Sequence, residues 1–199
     1  MAFQYTQELL DKALTYAAYH ESIVDTLSKP PADEAAQKLR PYFEGNFEVM
    51  KKYRASARVS EKLKAVMQDA RPVTWLVLSE GWCGDAAFNV PLLAEIEKEF
   101  PGKVKLQILL RDSFPEVMEA NLTDGGRSIP KMIVLDEELE VLDNWGPRPE
   151  QLQKRMKGWK DEGLGLKELI PKVHDWYNAD ETHSLQAELM TLVESYSGK

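Results

Sequence analysis

The hydrophobic residues of this chain recur at helical spacing near both ends and form short, nearly continuous runs in the middle. At the N-terminal end the helical period predicts one helix through about residue 28, where Lys29-Pro30-Pro31 ends it. The apolar positions of this helix are Leu9, Leu10, Ala13, Ala17, Val24 and Leu27.

An aromatic stripe and a second amphipathic segment follow, up to Arg71-Pro72. We interpret the stripe as a helix face that packs against the core and not as a ligand-binding surface. The stripe consists of Tyr42, Phe43, Phe47, Met50 and Tyr53, and the second segment carries Val59, Leu63, Val66 and Met67.

The middle of the chain alternates apolar runs with amphipathic stretches. This pattern predicts strands at 73–78, 104–110, 131–135 and 140–144, and helices at 85–100, 114–120 and 149–159. The resulting order is β-α-β-α-β-β-α, which indicates an α/β fold.

Helical spacing returns after Gly163 and predicts two further helices, broken near Asn178-Ala179-Asp180. No internal repeat, low-complexity tract or clear linker interrupts the chain. We therefore expect a single domain, 1–199, with a helical N-terminal extension (1–70), a core (71–160) and a helical C-terminal extension (161–199).

The only cysteine, Cys83, lies between the first predicted strand and the helix that follows it. Unpaired backbone N–H groups and the positive end of the dipole at a helix start favour a thiolate over a thiol, and so favour attack on disulfides. Position 86, where a Cys-x-x-Cys motif has its second sulfur, is Ala86. The sequence therefore has the attacking half of a redox motif without the resolving half.

The segment Glu80-Gly81-Trp82-Cys83-Gly84-Asp85-Ala86-Ala87 resembles the thioredoxin superfamily, whose active site is usually Trp-Cys-Gly-Pro-Cys after a central strand. Pro91 matches the proline inside the active-site helix of that superfamily, and Ser128-Ile129-Pro130 matches the loop whose cis-proline faces the sulfur. Trp145-Gly146-Pro147 also stands where thioredoxins carry a glycine. The resemblance implies a thioredoxin-like fold, a central mixed sheet flanked by helices, with helical additions at both ends.

A narrower resemblance rests on two longer segments, Gly125-Gly126-Arg127-Ser128-Ile129-Pro130-Lys131 and Trp145-Gly146-Pro147-Arg148-Pro149. They are similar to a branch of bacterial thioredoxin-like proteins with N- and C-terminal helical additions. The site implied by the resemblance has Cys83 as the catalytic residue, and its substrate-binding residues are Trp82, Gly84, Asp85, Ile129, Pro130 and Arg127.

Three features qualify that site. Ala86 removes the resolving thiol, and Val77 occupies the strand position where thioredoxins place a buried aspartate that helps to deprotonate it. Asp85 replaces the usual proline; its carboxylate either opposes thiolate formation or caps backbone N–H groups. Arg127 either attracts an anionic thiol or carboxylate, or is an exposed or helix-paired arginine.

Two functions are consistent with these residues. The first is monothiol exchange, in which the Cys83 thiolate forms mixed disulfides with a disulfide-bearing protein or a low-molecular-weight thiol. The second is a redox-inert binding module that uses the groove between Trp82 and Pro130, where the Ile129 backbone is free to pair with an extended chain. A buried thiol would argue against monothiol exchange.

A cysteine hydrolase that pairs Cys83 with His174 is a third hypothesis that the sequence leaves open, although no family signature for one is present.

The charge and composition of the chain limit the classes of partner, the compartment and the cofactors that we expect. The chain has 25 basic and 33 acidic residues, and this net charge of −8 argues against nucleic acid and anionic membranes as partners. No stretch reaches the ~18 to 20 apolar residues of a membrane span, and the N-terminus lacks a signal-peptide pattern, so we expect a cytoplasmic protein. A lone cysteine excludes an intrachain disulfide and fits a reducing compartment. The three histidines are not at metal-ligand spacing, and we expect no cofactor.

Overall fold

Four strands form one mixed sheet, and nine α-helices surround it in residues 3–198, the part of the chain that the computed structural model describes. The strands are β1 (Val73–Ser79), β2 (Val104–Leu110), β3 (Lys131–Leu135) and β4 (Val141–Trp145). The helices are α1 (Gln7–Leu10), α2 (Tyr16–Ser28), α3 (Glu34–Ser56), α4 (Glu61–Gln68), α5 (Gly84–Glu99), α6 (Pro115–Glu119), α7 (Glu150–Asp161), α8 (Leu166–Asp180) and α9 (His183–Ser197). A short 3-10 turn covers Arg111–Ser113.

The strand order is β2-β1-β3-β4, with β1 and β2 parallel and the other neighbours antiparallel. The parallel pair needs a crossover, which α5 supplies. Because β1 is an inner strand, its apolar run Leu76, Val77 and Leu78 is fully buried. This arrangement confirms the predicted α/β thioredoxin-like fold, and it brings the chain from the end of β1 directly to Cys83.

The expectation of one continuous helix through residue 28 was wrong. The chain leaves the helix after Leu10, and Leu14 instead pairs with Ile108 of β2 through two backbone hydrogen bonds of 2.7 and 2.8 Å. A new helix then begins at Tyr16, where the Thr15 side chain accepts a hydrogen bond from the Ala18 N–H. Pairing with the edge of the sheet satisfies backbone groups that a helix would otherwise satisfy, so tertiary contact overrides the local period.

Helices from both ends of the chain share the core with the sheet. Tyr19 and Met50 from the N-terminal side and Leu189 from the C-terminal side belong to the same buried cluster as Leu76. A smaller cluster joins α3, α5, α7 and α8 through Tyr53, Phe88, Leu152 and Tyr177. The helical additions therefore pack as part of one body with the core.

The break between the last two helices lies slightly later than the predicted position. Helix α8 continues through Asp180, and the chain turns at Glu181 and Thr182, whose φ angles of 49° and 71° are left-handed. Within residues 3–198 no helix is both long and apolar enough to span a membrane.

Candidate functional site

Cys83 lies at the N-cap position of α5, directly after the turn that follows β1. Its side chain is only 7% exposed, and the thiol donates a hydrogen bond to the carbonyl oxygen of Ile129 at 3.2 Å. The peptide bond between Ile129 and Pro130 is cis. The sulfur therefore faces the loop that the sequence placed opposite it, and it is already engaged with that loop.

Backbone packing behind the loop requires a glycine at position 146. Gly146 has a φ of 115°, and a Cβ there would overlap the carbonyl oxygen of Pro130. An L-residue with a side chain fits neither the conformation nor the space. Gly146 thus lets the segment after β4 lie against the Pro130 loop, which brings Arg148 to the site.

The environment of Cys83 favours the protonated thiol. Burial raises its pKa to about 12, and the nearby Asp85 carboxylate contributes to the rise. The backbone N–H groups of Ala86 and Asp85 and the Arg148 guanidinium act in the opposite direction but do not prevail. Because proximity to a helix start alone does not activate a desolvated sulfur, the thiol stays protonated at neutral pH.

Asp85 lies in the first turn of α5, where its side chain is held in a buried polar network. Arg148 donates to one carboxylate oxygen from Nε at 2.9 Å and from Nη2 at 2.5 Å, and the Tyr177 hydroxyl donates to the other at 2.8 Å. The Asn89 amide in turn donates to the Tyr177 oxygen at 2.9 Å. Of the two roles considered for Asp85, the structure favours the carboxylate that opposes thiolate formation.

Aromatic contacts fix α8 against α5 beside this network. The Phe88 ring stacks on Tyr177 with a centroid distance of 4.2 Å, while Tyr53 and His174 meet Phe88 edge-on at 4.8 and 5.0 Å. Burial lowers the pKa of His174, which keeps its imidazole neutral at pH 7. His174 lines the same cleft as Cys83, but within residues 3–198 no hydrogen bond joins them. In this part of the chain, Cys83 and His174 thus share a cleft without forming a hydrogen-bonded pair.

A cleft of about 480 Å³ opens over Cys83, bounded by the Ile129 loop and by helices of both extensions. Its lining is largely apolar. Leu166 at the start of α8 is 63% exposed, and Tyr42 of α3 is 40% exposed. The remaining apolar wall residues are Leu39, Met156, Leu169, Ile170 and Val173. Of the aromatic stripe, Met50 and Tyr53 are buried as expected, whereas Tyr42 faces this cleft.

Trp82 is held at the border of the cleft from two sides. Its carbonyl oxygen accepts a hydrogen bond from the Asn46 amide of α3 at 2.7 Å, and the Arg111 guanidinium lies 4.7 Å from its ring centroid. The preceding Gly81 has no room for a side chain, because a Cβ would lie 2.6 Å from the Phe43 ring. The N-terminal extension thereby fixes the position of the tryptophan.

The structure brings most of the expected site residues together. Trp82, Gly84, Asp85, Arg127 and Ile129 line the cleft with Cys83, and Pro130 follows in the same loop. Arg127 is exposed and forms an ion pair with Glu119 of α6, which matches the surface alternative considered for it. Sequence reasoning assigned no role to Arg148, although it belongs to the motif after β4, and none to Tyr177. No sequence signal connects either residue with Asp85, 63 and 92 residues away.

Residues 3–198 contain no group of three or more histidine, cysteine, aspartate or glutamate side chains placed to hold a metal ion.

A family model described as thioredoxin matches residues 33–161, well over half of the chain. The chain belongs to this thioredoxin family. The match begins near the start of α3 and ends with α7, so α8 and α9 lie outside it. The narrower resemblance to a single-cysteine branch stays a prediction.

Two solved structures share the fold. A protein of unknown function from Pseudomonas aeruginosa has a TM-score of 0.63 at 18% identity, and the alignment covers 96% of this chain and 98% of that one. An HIV epitope-scaffold protein has a TM-score of 0.63 at 19% identity over 94% of this chain and 96% of its own. At this identity the likeness concerns the fold alone, and it includes the helical additions. No curated protein matches the chain.

Proposed function

We propose that this thioredoxin-family chain is a binding module whose cleft over Cys83 takes an extended, apolar segment of a partner protein. The observation that carries the proposal is the state of Cys83. Its thiol is buried, donates to the Ile129 carbonyl and lies beside the Asp85 carboxylate. A thiol in that state orders the Ile129 loop but is a poor nucleophile.

The cleft offers what an apolar chain segment needs. Exposed Leu166 and Tyr42 supply hydrophobic surface that water would otherwise cover, and Trp82 adds an aromatic border. The volume of about 480 Å³ is enough for one or two large side chains. Helices α3 and α8 of the two extensions supply much of the cleft wall, so the specificity of the cleft depends in part on residues outside the βα core.

Selection of phage-displayed random linear peptides on the immobilised full chain tests the proposal. We expect selected peptides to bind Cys83→Ser with unchanged affinity, because a serine hydroxyl also donates to the Ile129 carbonyl. Leu166→Asp places a charge on the cleft wall and is expected to weaken binding at least about tenfold. Val141→Asp is the matched control, since Val141 is similarly exposed, at 49%, but lies on edge strand β4.

The proposal fails if no peptide is enriched, if Leu166→Asp and Val141→Asp behave alike, or if binding requires the sulfur and is released by a reductant. The last result would instead support the second candidate function.

Monothiol exchange is that second candidate, and it is favoured by the place of Cys83 at the start of the 16-residue helix α5 and in the cleft lining. The Cys83 thiolate would attack a disulfide in a partner protein or in an oxidised small thiol. A new S–S bond to Cys83 would form, and the second sulfur of the attacked disulfide would leave as a thiolate. An external thiol would then attack the mixed disulfide and regenerate Cys83. Incubation with oxidised glutathione tests this step: mass spectrometry would detect one added glutathionyl group that dithiothreitol removes and that Cys83→Ser never acquires.

For either function we propose the reducing cytoplasm as the place of action, because a single protonated thiol needs no oxidising compartment. The net charge of −8 supports a protein partner over nucleic acid or an anionic membrane.

A further inference from the structure

A second cleft of about 420 Å³ adjoins the Cys83 cleft, and Leu39 and Trp82 line both. Its other walls come from the segment that joins α2 to α3, which includes Pro30 and Pro31, and from Phe43 of α3. The two clefts therefore form one elongated depression that Trp82 divides.

Glu80 gives the second cleft its distinctive chemistry. The residue is only 7% exposed, and its Oε1 accepts a hydrogen bond from the Asp112 backbone N–H at 2.9 Å. Within residues 3–198 no lysine, arginine or histidine forms an ion pair with it. Burial raises the pKa of the Glu80 carboxyl and the Asp112 charge adds to the rise, while the hydrogen bond from the Asp112 N–H and the Arg111 charge act in the opposite direction. Buried carboxylates are usually paired, so an acid at a cleft wall without an ion-pair partner is uncommon.

The nearby cations are already bound to other groups. Lys29 pairs with Asp25 at 2.6 Å, and Arg111 pairs with Asp112 at 2.7 Å. Arg40 donates to the carbonyl oxygens of Leu27 and Lys29, both at 2.6 Å, and to Glu44. None of them forms an ion pair with Glu80, and only the Arg111 charge acts to lower the pKa of its carboxyl.

We propose that the second cleft is a subsite for a lysine or arginine side chain of the extended segment that occupies the Cys83 cleft. This inference rests on the proposed binding function and names the partner more closely: an apolar residue next to a basic one. A cation in this subsite would complement the Glu80 carboxylate, and the Phe43 ring would supply further attraction for the charge. Its alkyl stem would lie along Pro30 and Pro31.

Titration of the isotope-labelled full chain with small probes, followed by NMR, tests the subsite without knowledge of the partner. The probes are n-butylguanidinium, its neutral isostere n-butylurea, and n-hexanol for the Cys83 cleft. We expect n-butylguanidinium to cause saturable shifts of the Trp82 indole and of the amides around Glu80, and n-butylurea to bind there at least about tenfold more weakly.

Glu80→Gln keeps the side-chain shape and an acceptor for the Asp112 N–H, and it is expected to remove the preference for the guanidinium. Glu138→Gln is the matched control, because it makes the same charge change in the exposed turn between β3 and β4. Equal binding of the two isosteres, or an unchanged preference in Glu80→Gln, would overturn the subsite. The proposed binding function is judged separately, by whether n-hexanol shifts the α8 amides that line the Cys83 cleft.

Discussion

The reactivity of Cys83 is decided by its immediate neighbours. Helix α5 directs N–H groups at the sulfur, which by itself lowers a thiol pKa, but burial and the Asp85 carboxylate outweigh this effect and raise it to about 12. The carboxylate is held there by Arg148 and Tyr177. Asp85 therefore contributes, after burial, to keeping the thiol protonated.

The first prediction concerns Asp85→Asn. The substitution removes the negative charge beside the sulfur, and the loss of that charge lowers the Cys83 pKa. We expect alkylation of the thiol by iodoacetamide at a fixed mildly alkaline pH to become about tenfold faster or more, since each pKa unit changes the thiolate fraction tenfold. An alkylation rate equal to that of the wild type would mean that the carboxylate does not control the thiol.

The second prediction concerns Gly146. Gly146→Ala forces a left-handed backbone angle on a residue with a side chain and pushes its Cβ into the Pro130 carbonyl. We expect a loss of at least about 3 kcal/mol of unfolding free energy in urea denaturation. The control is Gly158→Ala in helix α7, where a Cβ meets no atom within 4 Å. It is expected to be neutral or to stabilise by up to about 1 kcal/mol.

The sequence predicted the site residues that belong to recognisable motifs, but not the residues that reach the site only through the packing of helices. Trp82, Cys83 and the Ile129 loop follow from a motif and the order of elements. The pairing of Asp85 with Tyr177 depends on how α8 packs across α5, and helical spacing shows only that α8 has an apolar face. Tyr177 lies on that face with no local sign that its hydroxyl meets a carboxylate.

Helices α5 and α8 act together at the site. The Phe88 and Tyr177 rings stack, and the Tyr177 hydroxyl bridges Asp85 and Asn89. The C-terminal extension thus contributes both a wall of the Cys83 cleft and a donor to the carboxylate below it.

The third prediction tests that contact. Tyr177→Phe keeps the ring stack but removes the donor to Asp85 and the acceptor for Asn89, so two buried polar groups lose a partner. We expect the unfolding free energy to fall by about 2 kcal/mol in urea denaturation. Tyr42→Phe is the control, because the Tyr42 side chain is exposed; we expect a change within about 0.5 kcal/mol. Equal effects of the two variants would refute the role assigned to the hydroxyl.

Element prediction from the sequence was best where residues are buried on both sides. The observed bounds of β2 and β3 match the predicted ones, and most residues of both strands are buried. It was wrong in the first helix, where Leu14 pairs with Ile108. Leu9, Leu10 and Ala13 kept a helical spacing although the chain between them and α2 joins the sheet edge, a contact that no local pattern encodes.

At the scale of the whole molecule, the buried acids of the core link stability to alkaline pH. Burial raises the pKa of Cys83, Tyr16, Tyr53 and Tyr196 to about 12. These groups have lower pKa values in the unfolded chain than in the folded one, so the unfolded state loses its protons at a lower pH. Their contribution to stability is thus complete below the unfolded pKa values and is lost as the pH rises through the folded ones.

The fourth prediction concerns this loss of stability as the pH rises. The midpoint of urea denaturation is expected to stay level from about pH 7 to pH 8 and to fall progressively from about pH 9 to pH 12. The fall should be shallower in Cys83→Ser, which lacks one of the linked groups. A midpoint that is constant up to pH 11, or the same slope in both proteins, would contradict the linkage.

The central claim is that Cys83 is a protonated, buried donor within a binding cleft and not an activated nucleophile. Its most direct test is the rate of iodoacetamide alkylation of the full native chain as a function of pH, with Cys83→Ser as the blank. We expect slow labelling with no inflection below about pH 10, and labelling of the urea-unfolded chain with the ordinary pKa of ~8.5. Rapid labelling of the native chain with an inflection below ~8.5 would contradict the claim and favour monothiol exchange.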